Sequence, residues 1–160
     1  MSFRVIPFKP AYAPVFRDLN LEWLTTYFYV EEKDKELLEN CEETIIKEGG
    51  FIFFAEWKGT LVGCYSLICM HTNIYELGKM AVDPNFQGLK IGQRLVSHAI
   101  AFAQANKWEK IILYSNTILG PAIYIYKKYG FKEIALEKDT PYKRSNIKME
   151  RILDSPLRTS

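Results

Sequence analysis

The sequence lacks several features that mark membrane, secreted and nucleic-acid-binding proteins. No apolar run approaches the ~18 residues that a membrane-spanning helix needs, and the opening MSFRVIPFKP has no signal-peptide hydrophobic region. No block of lysine and arginine occurs, and the formal net charge is only +2, which does not favour an electrostatic surface for nucleic acid. We therefore expect a protein that contacts neither membrane nor nucleic acid.

Cysteine and histidine are also scarce. The three cysteines, Cys41, Cys64 and Cys69, form no C-x-x-C pair and leave one thiol unpaired, which is typical of a reducing cytoplasm. We interpret each cysteine as a small packing residue, and the two histidines do not complete a metal site with them. The expectation is a cytoplasmic protein that holds no metal ion.

Hydrophobic residues, by contrast, are plentiful. They make up 48% of 160 residues, enough for one substantial core, and no repeat or interdomain linker divides the chain. We predict a single domain over residues 1–160. The aromatic content of 14% is on the high side, which is compatible with a groove or a dimer face but does not by itself establish either.

The order of periodic segments predicts a layered α+β or mixed α/β domain. Strands are predicted at residues 3–8, 51–57, 61–70, 73–82, 110–115, 131–137 and 145–153. Helices are predicted at residues 16–29, 90–106 and 121–129, with a further one that ends at the glycine pair 49–50. Three consecutive antiparallel strands are followed by one strand–helix–strand crossover.

The stretch VDPNFQGLKIGQRL, residues 82–95, has two glycines and a lysine at the junction between a predicted strand and a predicted helix. The first turn of a helix has unpaired N–H groups and a partial positive charge, which suit it to holding a phosphate. A plain surface turn is the alternative. Neither a G-x-x-x-x-G-K-[ST] loop nor a G-x-G-x-x-G turn occurs, so the common nucleotide-binding motifs are excluded.

This turn and two further motifs resemble the GNAT acetyltransferases, which transfer an acetyl group from acetyl-CoA. Residues 87–92, QGLKIG, match the first and last positions of the family signature, with Lys90 in place of its middle glycine. Residues 126–131, YKKYGF, fit a second family motif, and Asn116 and Ala122 precede it at familiar spacings. The resemblance covers essentially the whole chain and implies a mostly antiparallel sheet with helices on both faces.

The resemblance implies a coenzyme A site around this turn. Its pyrophosphate would lie against the N–H groups of the helix start, and the pantetheine arm would pair with the preceding strand, which splays from its neighbour. We expect right-handed helical geometry at Lys90, with its ammonium near phosphate, and a bulge at Gly78. The residues assigned to the cofactor are Met80, Ala81, Val82, Gln87, Gly88, Leu89, Lys90, Ile91, Gly92, Gln93 and Asn116.

Glu76 and Tyr126 are the candidate catalytic residues. Glu76 falls where histone-type family members carry a general base, and period two predicts one shared face for it, Gly78, Met80 and Val82. A strand carboxylate that is paired to a lysine or solvated is the alternative. Tyr126 is assigned to the departing thiolate, as a hydrogen-bond donor more readily than as a full acid, and core packing is its alternative. Asn116 is expected to bond the pantetheine or to cap the following segment, and turn formation is its alternative.

The acceptor side offers acidic and aromatic groups, namely Glu22, Trp23 and Tyr27, together with Arg144. They suit a cationic amine, and Arg144 suits a carboxylate on the same molecule. We expect a small amino-acid-like or polyamine-like amine, with a peptide or protein amine as the rival acceptor. Glu32 and Asp34 are interpreted as part of a solvated helix face.

Two hypotheses of function follow. The first is an acetyl-CoA-dependent N-acetyltransferase in which the amine attacks directly with general-base assistance. The second is a non-catalytic acyl-CoA-binding or regulatory domain. The joint presence of Glu76, Asn116 and Tyr126 favours the enzyme. Many family members pair, so the resemblance also allows a homodimer.

Overall fold

The computed structural model describes residues 2–153 of the chain. This range contains seven strands and four α-helices. The strands are β1 Phe3–Pro7, β2 Phe51–Trp57, β3 Thr60–His71, β4 Ile74–Val82, β5 Lys110–Ser115, β6 Lys132–Ile134 and β7 Ile147–Ile152. The helices are α1 Ala13–Tyr27, α2 Glu32–Glu39, α3 Ile91–Ala105 and α4 Gly120–Lys128.

All seven strands form one sheet in the order β1-β2-β3-β4-β5-β7-β6. Neighbours are antiparallel except β4 and β5, which are parallel and connected through α3. The predicted mixed α/β fold, with a mostly antiparallel sheet and one parallel crossover, is confirmed.

The sheet separates two hydrophobic clusters. Along β2, Phe53 packs into the first cluster and Phe54 into the second, as the alternation of side chains in a strand requires. Helix α3 supplies the first cluster with residues at helical spacing, including Leu95 and Ala99. Helices α1 and α2 supply the second, where Phe16 is fully buried. Helices therefore cover both faces, as predicted.

Two predicted elements differ from the structure. The helix expected to run to the glycine pair 49–50 is interrupted, since α2 ends at Glu39 and a separate π-helical turn covers Glu42–Ile46. Asn40 lies between them with φ −129° and ψ 46°, outside helical geometry. The strand expected at residues 131–137 is shorter, because β6 pairs with β7 only over Lys132–Ile134.

A bulge lies in the middle of β4. Ser66 of β3 pairs with Gly78, but Cys64 pairs with Ala81, so β4 carries one extra residue there. Lys79 has φ +51°, in the left-handed region. The prediction of a bulge beside Gly78 is correct, although the strained residue is Lys79 and not the glycine.

Candidate active site

Strands β4 and β5 separate towards their carboxyl ends. Their last paired residues are Glu76 and Ile112, although β4 continues to Val82 and β5 to Ser115. The predicted splay is confirmed, and it opens a cleft of about 300 Å³. The predicted site residues that line this cleft are Glu22, Trp23, Tyr27, Glu76, Met80, Ala81, Val82, Gln87, Asn116, Tyr126 and Arg144.

The remaining predicted cofactor residues follow Gln87 directly and form the start of α3. They are Gly88, Leu89, Lys90, Ile91, Gly92 and Gln93. Within residues 2–153, no N–H group of residues 89–93 donates to a backbone or side-chain acceptor. A Cβ on Gly92 would meet no atom within 4 Å, so the space over the helix start is open. Ile91 is buried and offers only its backbone.

Lys90 does not have the geometry that we expected. It is the residue before the helix rather than its first residue, and its φ of +56° and ψ of 32° are left-handed. Gly88 also has positive φ, +87°. Alternation of left- and right-handed residues turns successive N–H groups inward into an anion-binding concavity. A lysine here costs conformational energy that a glycine would avoid.

Glu76 is the most deeply buried carboxyl that lines the cleft, with 3% of its surface exposed. It has no hydrogen-bond or ion-pair partner among residues 2–153. Every fully buried side-chain oxygen in that range has a hydrogen-bond partner, so the oxygens of Glu76 are not fully buried and must open onto the cleft. Burial raises the pKa of Glu76 to about 7, against the lowering effect of the nearby Lys79 charge. This pKa suits a general base at neutral pH.

The bulge overturns the prediction that Glu76, Gly78, Met80 and Val82 share one face. Met80 and Val82 pack against the same cluster as Leu77, on the face opposite Glu76. One extra residue reverses the alternation of side chains beyond it. The side chains of Met80 and Val82 therefore lie on the face opposite Glu76, whereas Ala81 packs into the second cluster.

Gly78 leaves the carboxyl of Glu76 accessible. A Cβ at this position would lie 3.4 Å from Glu76 Oε2 and 4.0 Å from Ser66 Oγ. A methyl group or a larger side chain at position 78 would therefore contact this carboxyl oxygen.

Tyr126 lies on α4 and packs edge-on against Phe131, with ring centroids 5.8 Å apart. Burial raises the pKa of Tyr126 to about 12, so its hydroxyl stays protonated at neutral pH. Against a thiol pKa of ~8.5, full proton transfer would be uphill by roughly 5 kcal/mol. This raised pKa disfavours complete proton transfer and leaves the hydroxyl as a hydrogen-bond donor.

Asn116 is engaged by the protein itself. Its side-chain oxygen accepts from the N–H of Ile118 at 2.9 Å, and its amide nitrogen donates to the carbonyl of Arg144 at 2.7 Å. This is the turn-forming alternative of the prediction. One N–H of the amide remains for a ligand in the cleft.

One wall of the cleft, where we predicted the acceptor, is formed by α1. Trp23 contacts Tyr27 and Phe28, with ring centroids 5.4 Å and 5.7 Å apart. Tyr27 is 47% exposed and Glu22 is exposed beside it. The structure therefore places an aromatic wall and a carboxylate at the rim of the cleft.

Arg144 lines the cleft, but its guanidinium is bonded to the protein's own acids. It donates to both oxygens of Asp34, at 2.7 Å and 2.9 Å, and to Glu31 at 3.1 Å. Asp34 also accepts from Lys79 at 2.5 Å and is wholly buried. The interpretation of Asp34 as a solvated residue is therefore wrong, whereas Glu32 is exposed as expected.

We call Glu31, Asp34, Lys79, Arg144 and Tyr142 the buried charge cluster. Tyr142 lies under both cations, with its ring centroid 4.4 Å from Lys79 and 4.6 Å from Arg144. The sequence offered one local signal of this cluster: Glu31 and Asp34 have capping-box spacing, and both capping bonds are present. The cations come from segments distant in sequence.

The described residues contain neither a cluster of metal ligands nor a membrane-spanning helix. Within residues 2–153, no group of three or more histidines, cysteines, aspartates or glutamates is placed to hold a metal ion. None of the helices in that range has both the length and the apolar character needed to cross a bilayer.

A mostly antiparallel sheet that splays at one parallel pair, with unpaired N–H groups at the start of the crossover helix, is the architecture of an acyl-CoA-type transferase fold. The model of the Acetyltransferase (GNAT) family matches residues 17–131. The chain therefore belongs to the GNAT family, as its motifs predicted.

Individual relatives agree in fold. An acetyltransferase of the GNAT family from Staphylococcus aureus Mu50 superposes with a TM-score of 0.83 and 26% identity, covering 96% of this chain and 100% of that one. The PaiA N-acetyltransferase of Thermoplasma acidophilum, solved with coenzyme A, superposes with a TM-score of 0.74 and 20% identity, covering 95% of this chain and 99% of that one.

Among curated proteins, the N-acetylaspartate synthetase of Xenopus tropicalis is 28% identical over 101 residues. The match covers 62% of this chain but only 37% of the synthetase.

Proposed function

We propose that the protein is an N-acetyltransferase that moves the acetyl group of acetyl-CoA to a primary amine of a small molecule. The observation that carries the proposal is the carboxyl of Glu76, which is buried, unpartnered and open to the cleft. The unpaired N–H groups at the start of α3 support coenzyme A as the acyl carrier, because a pyrophosphate satisfies them. The Thermoplasma relative was solved with this molecule.

The proposed reaction is direct attack. The neutral amine adds to the thioester carbonyl carbon, Glu76 takes the proton that the nitrogen loses, directly or through one water, and the carbon–sulfur bond breaks. The sulfur leaves as a thiolate that accepts a hydrogen bond from Tyr126. Met80, Ala81 and Val82 offer backbone groups to the amide groups of the pantetheine arm, as an added strand would.

Glu76 is suited to this step by its environment. An amine with a pKa near 10 is almost wholly protonated at pH 7, so a base with a pKa near 7 is needed close to the thioester. Desolvation by the surrounding sheet supplies that pKa. A carboxyl in water would titrate near 4 and would be a much weaker base.

A thiol-release assay tests the proposal. The protein is incubated with acetyl-CoA, a thiol-detecting reagent and a pool of amines, with a second pool of peptides that carry free N-termini and lysines. We expect thiol release that depends on small amines. Release only with the peptides would assign the acetyl group to a protein amine. Binding of acetyl-CoA without turnover over both pools would support the non-catalytic domain. The homodimer and the cytoplasmic location stay predictions.

A further inference from the structure

We infer that the acceptor end of the cleft selects amines that carry a second positive charge and no carboxylate, as linear diamines do. The inference rests on the proposed amine acetylation and names the class of acceptor. It depends on which charges of the cleft are already neutralised by the protein and which remain for a ligand.

Both cations that line the cleft are neutralised by acidic side chains of the protein. Lys79 and Arg144 have side chains only 4% and 13% exposed, and both bond Asp34. Oδ1 of Asp34 accepts from Lys79 and Arg144, while Oδ2 accepts from Arg144 and from the N–H of Glu31 at 2.8 Å. The carboxylate of Glu31 also pairs with Arg144, so two acids face two cations and the local charge sums to zero.

A carboxylate on the acceptor would therefore meet no unpaired cation. To engage Arg144 it would have to take the guanidinium from Asp34, leaving a wholly buried carboxylate with less compensation. The role that we expected for Arg144, binding a carboxylate of the acceptor, does not agree with these bonds. Arg144 instead fixes the loop before β7 against α2, since the N–H groups of Lys143 and Arg144 donate to Glu31.

The carboxylates without a protein partner favour a cationic acceptor. Glu76 and Glu22 both line the cleft, and neither forms an ion pair within residues 2–153. Glu76 lies deep, with 3% exposure, and Glu22 lies at the exposed rim. An extended molecule with one amine at the floor and a cation at the rim would satisfy both.

The aromatic wall favours the same ligand. Trp23 and Tyr27 of α1 and Phe28 at its end line the cleft together with Glu22. Aromatic faces attract cations, and a methylene chain gains by covering them. An acceptor with a neutral far end would use the wall but would leave Glu22 unpaired.

Three acceptors with the same four-carbon chain test the inference: 1,4-diaminobutane, 1-aminobutane and 4-aminobutanoate, whose far ends are an ammonium, a methyl group and a carboxylate. We expect kcat/KM to fall in that order, with the diamine ahead of the monoamine by about 5-fold, as one exposed ion pair allows. Glu22→Gln should remove this advantage and leave 1-aminobutane within about 2-fold. Glu36→Gln, on the exposed face of α2, is the matched control. It should change neither the advantage of the diamine nor the kcat/KM for 1-aminobutane.

Two results overturn the inference while leaving the acetyl transfer intact: preference for 4-aminobutanoate, or an equal effect of Glu22→Gln on all three acceptors. Turnover by other amines of the pool but none of these three also overturns it. Absence of thiol release with every amine overturns the proposed function as well, so the two failures are distinguishable.

Discussion

Asp34 and Lys79 form an ion pair whose Oδ1 and Nζ atoms are 2.5 Å apart, with side-chain exposures of 0% and 4%. The pair joins α2 to the bulge of β4, where Lys79 adopts left-handed geometry. Burial alone would raise the pKa of Asp34, but hydrogen bonds from Arg144 and the charge of Lys79 outweigh it and lower the pKa to about 2. Asp34 is therefore ionised at any pH at which the enzyme works.

Asp34→Asn should lower the free energy of unfolding by about 3–5 kcal/mol, because it leaves two buried cations with one fewer acid. Urea unfolding at pH 7 measures this. Glu36→Gln, an exposed change on the same helix, should stay within about 0.5 kcal/mol of the wild type.

The pH dependence separates charge from packing in this variant. Since the folded pKa of Asp34 lies below its unfolded value of ~3.9, the stability it contributes is present above pH ~4 and is lost as the pH falls towards about 2. The difference between wild type and Asp34→Asn should narrow over that window. A difference that is constant with pH would assign the loss to packing alone.

Lys90→Gly should stabilise the protein by about 1 kcal/mol, because glycine adopts the left-handed conformation at this position without strain. Lys35→Gly makes the same chemical change inside α2 and should destabilise by about 1 kcal/mol. Denaturant midpoints of the two variants should move in opposite directions. A loss of stability in both would show that Lys90 is not strained.

The sequence predicted the strands in their order along the chain because most of them are distinct runs of apolar and β-forming residues, as KIILYS in β5 is. It predicted a bulge at Gly78 but not the left-handed geometry of Lys79, since a lysine has none of the local signals of that geometry that glycine or asparagine would give. Asp34 stands among charged neighbours and is typical of a solvated turn of helix. Its partners Lys79 and Arg144 are 45 and 110 residues away, which no local pattern reports.

Gly92→Leu should abolish the rise in melting temperature that acetyl-CoA produces while leaving the unliganded protein folded. A Cβ on Gly92 would meet no atom within 4 Å, so we expect a leucine there to leave the fold intact but to fill the place proposed for the pyrophosphate. Thermal unfolding with and without acetyl-CoA measures the shift. Gln104→Leu, at the far end of the same helix, should retain it. An unchanged shift in Gly92→Leu would remove this turn from the cofactor site.

Tyr126→Phe should lower kcat by about 10-fold, the size of one charge-assisted hydrogen bond to the leaving sulfur. Because the pKa of Tyr126 is raised to about 12 by burial, wild-type activity should show no titration of this residue below pH ~11. The ratio of the two rates should therefore stay constant with pH. A loss of 10³-fold or more would indicate that Tyr126 transfers its proton completely.

Glu76→Gln should lower kcat by about 10²–10⁴, the usual contribution of a general base, with little change in affinity for acetyl-CoA. Wild-type kcat/KM should fall below pH 7 as the carboxyl protonates, and the variant should lack this limb. Its defect should shrink at high pH, where more of the amine is already neutral.

The same substitution should stabilise the protein at neutral pH. The folded pKa of Glu76 lies above its unfolded value of ~4.3, so the stability that the protonated carboxyl contributes is fully present below pH ~4 and is lost as the pH rises through about 7. Glutamine carries no charge, and the variant should exceed the wild type by up to about 3 kcal/mol at pH 8. An enzyme that is more stable, inactive and still able to bind acetyl-CoA would show that the buried carboxyl is kept for chemistry. Near-normal turnover in Glu76→Gln would instead assign deprotonation to a water chain or to the amine's own equilibrium in solution.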